Sequence, residues 1–193
     1  MNIIYYDEID STNEEAKRLL REGKAGPGAV IVARRQSAGK GRGGKSFFSP
    51  GGSSVYESFV LKPTENPAEQ RITVFAAIAV CHAIEKTTSY KTIIKGINDV
   101  LVDGRKVCGI LAENIKEGTV LGIGVNVNLC ENDFPDEIKE IAGSLQLDEE
   151  TRTAFIKTLT EEVFRCMAIA DKPDTEVAAA LLEEYKARAI YNS

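Results

Sequence analysis

The sequence predicts an α+β fold, in which a mixed, mostly antiparallel β-sheet carries helices packed on one face. Three observations lead to this class. Residues 90–129 form short apolar runs separated by polar turns, a pattern typical of an antiparallel meander and not of repeated strand–helix–strand units. Segments with helical periodicity lie before and after this region. With 193 residues, 43% of them hydrophobic, the chain is long enough for one domain over residues 1–193 with its own core.

The first half of the chain mixes strands and helices. Residues 3–8 alternate in polarity like a strand, and the segment from Asp10 to Glu15 begins a helix that ends at about Arg21. Ser11 or Thr12 is expected to cap that helix through its hydroxyl group. The remaining elements of this half are strands over 29–34 and 53–61, a loop over 62–67, and the longest helix over 68–86.

Short strands followed by helices make up the second half. Asp103-Gly104 lies between two apolar runs and predicts a tight hairpin turn. The expected elements are strands over 90–95, 100–102, 107–113 and 119–129, a short helical segment over 134–138, and helices over 149–170 and 174–188.

A glycine-rich loop follows the second strand. It has four glycines in positions 39–44, together with the cations Lys40, Arg42 and Lys45. Such a backbone is too free to order by itself and its cations repel one another, so we expect it to close around a phosphate or another anion. A flexible surface linker is the alternative. Residues 39–46 also satisfy the P-loop pattern, but Pro50 and paired glycines follow where that motif requires a helix, which argues against a P-loop.

The distribution of charge favours a small anionic ligand over a nucleic acid. The formal net charge is −5, yet no acidic residue lies between Glu22 and Glu57, where six cations occur. A local positive field on an acidic protein suits a small anion, and we therefore expect no binding to nucleic acid.

Cysteine and histidine usage indicates a reducing compartment and no metal site. Cys81, Cys108, Cys130 and Cys166 lie in apolar runs without C-x-x-C spacing, and the chain has one histidine. We expect four buried free thiols, no metal ligands and a cytoplasmic location. No apolar run reaches membrane-spanning length and the N-terminal residues do not resemble a signal peptide, so no membrane association is expected.

Four motifs resemble, in the same order, those of the catalytic domain of biotin protein ligases. They are Asp10-Ser11-Thr12-Asn13; Gln36 to Lys45, continuing to Ser49-Pro50 and Gly52; Lys95-Gly96-Ile97-Asn98-Asp99 with Asp103 to Glu113; and Gly122 to Asn128. The resemblance covers residues 10–145. It implies the biotin–lipoate ligase fold, which is similar to that of class II aminoacyl-tRNA synthetases.

The resemblance also implies a ligase that activates biotin with ATP and Mg²⁺ to biotinyl-5′-AMP, and then biotinylates a lysine of a biotin carboxyl carrier protein domain. Arg42 would hold the adenylate phosphate, Lys106 would bridge the biotin carboxyl oxygen and the α-phosphate, and Asp99 would face the incoming lysine or a metal, which makes these three the implied catalytic residues. The implied biotin-binding residues are Ser11, Thr12, Asn13, Gln36, Gly39, Gly41, Arg42, Lys106, Gly109 and Ile110. The implied nucleotide-binding residues are Arg42, Lys45, Phe47, Asn98, Lys106 and Asn126.

Several departures and alternatives accompany this interpretation. Gly96-Ile97 stands where the family usually has Trp-Pro, and Phe47 stands where tryptophan is common. We expect neither the N-terminal DNA-binding domain nor the C-terminal β-barrel of some members, and we expect a homodimer formed through the sheet. A lipoate or octanoate ligase and a non-catalytic biotin-binding module are the alternative functions. Taken alone, Lys106 could be a solvated hairpin lysine and Phe47 a core residue.

Overall fold

The computed structural model describes residues 2–52, 54–63 and 69–191. The strands are β1 (Asn2–Ile9), β2 (Ala29–Gln36), β3 (Ser54–Leu61), β4 (Thr92–Lys95), β5 (Asp99–Val102), β6 (Arg105–Ile115), β7 (Gly118–Asn126) and β8 (Ala189–Ile190). The α-helices are α1 (Thr12–Arg21), α2 (Glu69–Thr87), α3 (Asp136–Lys139), α4 (Glu149–Ala170) and α5 (Glu176–Arg188). The predicted class, a mixed and mostly antiparallel sheet with helices, is confirmed.

The chain divides into two compact units. One comprises residues 1–69 and 109–126, and the other comprises residues 70–108 and 127–193. Strand β6 contributes residues 109–115 to the first unit and residues 105–108 to the second. The expectation of a single domain over residues 1–193 stays a prediction.

In the first unit, the strand order is β1-β2-β3-β7-β6. Strands β1 and β2 are parallel, whereas β3 is antiparallel to both of its neighbours. Helix α1 is amphipathic, and Ala16 and Leu20 on its apolar side pack in one core cluster with Ala29, Ile31 and Val60. This packing fixes the helix, and with it the position of the polar residues of its first turn.

In the second unit, the strand order is β6-β5-β4-β8. Strand β4 is antiparallel to β5 and parallel to the two-residue strand β8. Helices α2 and α4 supply fully buried side chains, among them Phe75, Ile78 and Phe155. Arg188 near the end of α5 pairs with Glu85 of α2 at 2.6 Å, and this hydrogen-bonded guanidinium lowers the pKa of Glu85 to about 2.

Several element boundaries differ from the prediction. Strand β7 ends at Asn126 instead of 129. The next carbonyl, that of Val127, accepts a hydrogen bond from the Gln146 N–H at 2.6 Å and not from a neighbouring strand. Strand β4 begins at Thr92 instead of 90, and α5 begins at Glu176 after its cap Thr175. Strand β8 was not predicted. The predicted starts at residues 53 and 68, and most of the predicted loop 62–67, lie outside the described residues.

The expectation of four buried cysteines is wrong at one position. All four are free thiols, and Cys81, Cys108 and Cys166 are buried, but Cys130 is exposed. Strand β7 has already ended there, and Cys130 precedes a surface turn in which its N–H donates to the Asp133 carboxylate at 2.7 Å. Among the described residues, no helix is both long and apolar enough to cross a membrane.

Candidate functional site

The end of β2 and the start of α1 meet in a chain of polar contacts within the first unit. The Thr12 backbone N–H and hydroxyl donate to Gln36 Oε1 at 2.8 and 3.1 Å. Gln36 Nε2 donates to Ser49 Oγ at 2.9 Å, and Ser49 donates to the Phe47 carbonyl at 2.9 Å. Ser11, Thr12 and Ser49 are buried. The structure therefore brings the predicted Thr12 and Gln36 together, and the half-buried amide of Gln36 joins the hydroxyl groups of Thr12 and Ser49.

The hydroxyl-capping prediction for α1 is wrong. Ser11 occupies the N-cap position with extended backbone angles, but its side chain makes no capping hydrogen bond. Thr12 is already the first helical residue, and its hydroxyl donates to Gln36. Neither hydroxyl group therefore caps helix α1, and that of Thr12 forms a tertiary contact with β2.

Asn13, a predicted biotin-binding residue, is held by three hydrogen bonds with residues of two strands, β3 and β6. Its Nδ2 donates to Glu113 Oε2 at 2.8 Å and to the Leu111 carbonyl at 3.3 Å, and its Oδ1 accepts from Ser58 Oγ at 2.6 Å. A Cβ at Gly122 would collide with the same amide oxygen. These contacts fix the side chain of Asn13 and thereby the first turn of α1. The neighbouring residues Ser11 and Thr12 are positioned as a result.

The glycine-rich loop folds back on itself. The Gly41 N–H donates to the Lys45 carbonyl at 2.7 Å, and the Phe47 N–H donates to the Gly39 carbonyl at 2.8 Å. A short 3-10 turn, Arg42–Gly44, forms the tip, where Gly43 has the left-handed φ of 68°. Residues 45–52 form no helix. The prediction that the P-loop pattern lacks its helix is therefore confirmed.

Ion pairs offset much of the positive charge that the sequence places between Glu22 and Glu57. Four of the six cations lie near acids of residues 7–22: Lys24 with Glu22, Arg34 with Asp7, Arg35 with Glu8, and Lys40 with Glu14. Within the described part of the chain, Arg42 and Lys45 form no ion pair. Both are exposed on the loop. The uncompensated positive charge of this region is therefore concentrated near the loop tip.

Replacing Gly39 with alanine is expected to lower the free energy of unfolding by about 1–3 kcal/mol, the usual cost of overpacking. A Cβ at this buried position would collide with Ser49 Oγ and lie 2.5 Å from the Phe47 carbonyl oxygen, which is backbone and cannot rotate away. Urea unfolding measures the effect. Gly26→Ala is the matched control, since a Cβ there meets nothing within 4 Å. Equal stability of the two variants would contradict this account of the loop.

Phe47 packs beside the last part of β7. Its ring meets Tyr56 edge-on, with centroids 6.5 Å apart and planes at 81°, and a Cβ at Gly124 would lie 2.5 Å from the ring. The ring is half-buried, and Asn126, the predicted reader of adenine, is buried near the end of the same strand. Phe47 thus combines a packing role with a partly accessible ring. Gly124 is the residue that makes room for it.

In the second unit, Lys106 is paired and not a solvated charge. Its Nζ lies 2.7 Å from Asp99 Oδ1, and its side chain is 32% exposed. Asn98 Nδ2 donates to the same carboxylate oxygen at 2.9 Å. The structure therefore brings Asn98, Asp99 and Lys106 together as predicted. In the part of β6 that belongs to the first unit, Gly109 is half-buried and Ile110 is buried.

The Gly96-Ile97 departure from the family pattern has a local explanation. Gly96, which stands at the position of the family's tryptophan, has a φ of 62°, a left-handed conformation that residues with a side chain rarely adopt. The Tyr185 hydroxyl donates to the Gly96 carbonyl at 2.7 Å, and the Gly96 N–H donates to the Ile190 carbonyl at 3.0 Å. Contacts from α5 and β8 thus hold the turn before Asn98 and Asp99.

Sequence reasoning missed two features of the second unit. A pocket of about 220 Å³ is lined by Tyr90, Val102, Asp103, Arg105, Val107, Leu129, Glu131, Phe134, Ala142, Gly143, Ser144 and Gln146, none of which was predicted. Arg105 and Val107 face it while Lys106 does not, as expected for alternating side chains of a strand. Asp103, Arg105 and Val107 lie in the third motif, but that motif does not indicate a pocket.

The second feature is a group of potential metal ligands, His82, Glu162 and Cys166, whose ligand atoms lie within 4.8 Å of one another. Arg165 Nη2 lies 2.8 Å from His82 Nδ1 and donates to Glu162 at 2.7 Å, so a guanidinium already supplies the positive charge. Burial raises the pKa of the Cys166 thiol to about 12, which keeps it protonated at neutral pH. The group is best described as a charge-paired network that joins α2 and α4.

The fold and these motifs are similar to those of biotin and lipoate protein ligases, and the comparison with protein families agrees. The chain belongs to the Biotin/lipoate A/B protein ligase family, whose model matches residues 5–129. It is 40% identical over 151 residues to the bifunctional ligase/repressor BirA of Bacillus subtilis, an alignment that covers 75% of this chain and 46% of the relative. It is 28% identical over 188 residues to a biotin–[acetyl-CoA-carboxylase] ligase of Mycobacterium tuberculosis, covering 95% of this chain and 62% of the relative.

Solved structures show the same likeness. A biotin protein ligase from Aquifex aeolicus in complex with biotin and ATP superposes with a TM-score of 0.71 and 33% identity, covering 85% of this chain and 71% of that one. The chain spans about half the length of the Bacillus relative, 46%.

Proposed function

We propose that the chain activates biotin with ATP and transfers the biotinyl group to a lysine of a biotin carboxyl carrier protein domain. In the first step the biotin carboxylate attacks the α-phosphorus of ATP, and the bond to pyrophosphate breaks. In the second step the lysine amine attacks the acyl carbon, and AMP leaves. The observation that carries the proposal is a hydrogen-bonded polar chain, Thr12–Gln36–Ser49, whose two ends are buried. It leads into a loop whose exposed cations, Arg42 and Lys45, form no ion pair within the described residues.

The first unit supplies residues suited to the ureido ring and the nucleotide. The ureido ring has hydrogen-bond donors and acceptors, and both need partners when the ring is buried. Ser11, Thr12 and Gln36 offer such partners. Asn13 holds these residues in place, and Gly39 and Gly41 let the loop backbone approach the ligand. We assign Arg42 and Lys45 to the phosphates, Phe47 to packing on the adenine, and Asn126 to its edge.

The second unit supplies the ammonium for the reacting groups. The first step brings together the biotin carboxylate and the α-phosphate of ATP, which are both negatively charged. A fixed cation therefore lowers the activation barrier most at the place where this charge accumulates. We assign this role to Lys106, whose orientation is set by Asp99, while Asn98 donates to the same carboxylate. The backbone at Gly109 and Ile110 would contact the biotin carboxyl region. Mg²⁺ enters with ATP as part of the substrate.

One experiment separates this function from its alternatives. The protein is mixed with MgATP, biotin and a carrier domain, and the intact mass of the carrier is measured. Biotinylation of wild-type carrier, but not of a carrier whose acceptor lysine is replaced by arginine, supports the proposal. Modification only with lipoate would instead indicate a lipoate ligase, and biotin binding without transfer a binding module.

Other expectations derived from the sequence stay predictions. They are the homodimer formed through the sheet, the cytoplasmic location, the absence of nucleic-acid binding and the absence of a resident metal. The carrier assay tests none of them directly.

A further inference from the structure

We propose that Glu14 is a positioning residue that holds the base of the glycine-rich loop against helix α1 and thereby strengthens biotin binding. The loop base denotes residues 39, 40, 46 and 47. Lys40 Nζ lies 2.5 Å from Glu14 Oε1, the one ion pair between the loop and α1 among the described residues. The inference rests on the proposed function only where it concerns biotin.

Glu14 has a second ion-pair partner on its own helix. The same Oε1 atom lies 2.6 Å from Lys17 Nζ, one turn further along α1. Lys17 is itself buried and lies 2.9 Å from Glu113 of β6. Glu14 is therefore held to α1 and, through Lys17, to β6 by contacts that do not involve the loop.

The charges of this network favour the closed base. Hydrogen bonds from Lys17 and Lys40 lower the pKa of Glu14, so its carboxylate is ionised at neutral pH. Glu14 also lies in the first turn of α1, where the helix dipole stabilises a negative charge. Lys40 needs such a partner, because Arg42 and Lys45 in the same loop repel it.

Backbone contacts connect this pair to the binding residues. Lys40 is flanked by Gly39, which packs against Ser49 and Gln36, and by Gly41, which bonds to Lys45. Lys40 also forms an isolated bridge with Ser46 across the loop. Fixing Lys40 therefore fixes both sides of the loop base. The ion pair does not constrain the loop tip with Arg42, which can then close onto a ligand.

Hydrogen exchange of ligand-free Glu14→Gln tests the loop directly. The amides of Gly41 and Phe47, which close the loop, should exchange about twofold to fivefold faster than in wild type, the change expected from one partly exposed ion pair. The amide of Ile31 in β2 should be unaffected. Glu15→Gln is the matched control, since Glu15 bonds to Tyr6 and Arg18 and not to the loop. Lys40→Arg should exchange like wild type.

Biotin affinity by calorimetry is the second readout. At low salt, Glu14→Gln should bind biotin about twofold to fivefold more weakly, and at about 1 M NaCl the difference should vanish, because salt screens the pair. Unchanged amide exchange in Glu14→Gln, or an equal change in Glu15→Gln, overturns the inference. Faster exchange with unchanged biotin affinity overturns the positioning role. Failure of wild type to bind biotin would instead count against the proposed function, because the exchange experiment needs no ligand.

Discussion

Lys106→Ala is expected to slow pyrophosphate release by about 10²–10³-fold under saturating ATP and biotin, the typical effect of removing one preorganised group that stabilises transition-state charge. Negative charge grows on the α-phosphate oxygens as the carboxylate attacks. An ammonium beside these oxygens therefore stabilises the transition state more than the ground state. Biotin affinity should fall far less, because Ser11, Thr12 and Gln36 remain. Pyrophosphate release and calorimetry measure the two effects separately.

The ion pair with Asp99 calls for a further control. Removing Lys106 leaves the Asp99 carboxylate without its ammonium partner at 2.7 Å, and that negative charge would by itself repel ATP. Asp99→Asn with Lys106→Ala removes both charges. If Lys106 acts on the reacting groups, the double variant stays as slow as Lys106→Ala. Recovery of the wild-type rate would mean that Lys106 only neutralises Asp99. Lys106→Arg should restore part of the rate, since the planar guanidinium keeps the positive charge but cannot occupy the position of the compact ammonium group.

Local features of the fold could be predicted because their causes are local. Asp103 and Gly104 both have left-handed φ values, 50° and 76°, as a two-residue hairpin turn requires. Helix α4 spans Glu149–Ala170, the predicted range, and in the structure the Asp148 side chain caps it by accepting from the Thr151 N–H. The capping role of Ser11 was not correctly predicted, since a hydroxyl at that position can serve a helix end or a tertiary contact.

The meeting of Thr12 and Gln36 depends on strand pairing. Ile9 lies opposite Gln36 in the parallel register of β1 and β2, so both strands end at the same edge. Residues that follow the two strands therefore come together there. Motif resemblance grouped these residues, but the hydrogen bonds between them required knowledge that β1 and β2 are adjacent and parallel.

Charge pairing was the least predictable part of the site. Along the chain, residues 23–56 have cations and no acids, which suggests a broad positive field. In the structure, acids of the preceding segment neutralise most of these cations, and Lys17 is buried against Glu113, which is 96 residues away in sequence. Counting charge in sequence windows cannot reveal such pairs, because they form between elements that only the fold brings together.

Arg42→Ala is expected to accelerate release of biotinyl-5′-AMP by about 10–100-fold, the range for losing one or two hydrogen bonds to a charged group. Arg42 is exposed at the loop tip and has no competing ion pair within the described residues, so its guanidinium is available for the adenylate phosphate. Released adenylate reacts with any accessible lysine. Biotin should therefore appear on bystander proteins as well as on the carrier, which a chase experiment and mass spectrometry would measure.

Arg34→Ala is the matched control for this prediction. Arg34 is also an exposed arginine of the same positive segment, but it lies on β2 near Asp7 and outside the loop. It should release the adenylate at the wild-type rate, whereas Arg42→Lys should lie between wild type and Arg42→Ala, because it keeps the charge without the bidentate geometry. Selective labelling of the carrier by Arg42→Ala at the wild-type level would remove Arg42 from the phosphate site, and equal leakage from Arg34→Ala would mean that only the general positive field retains the intermediate.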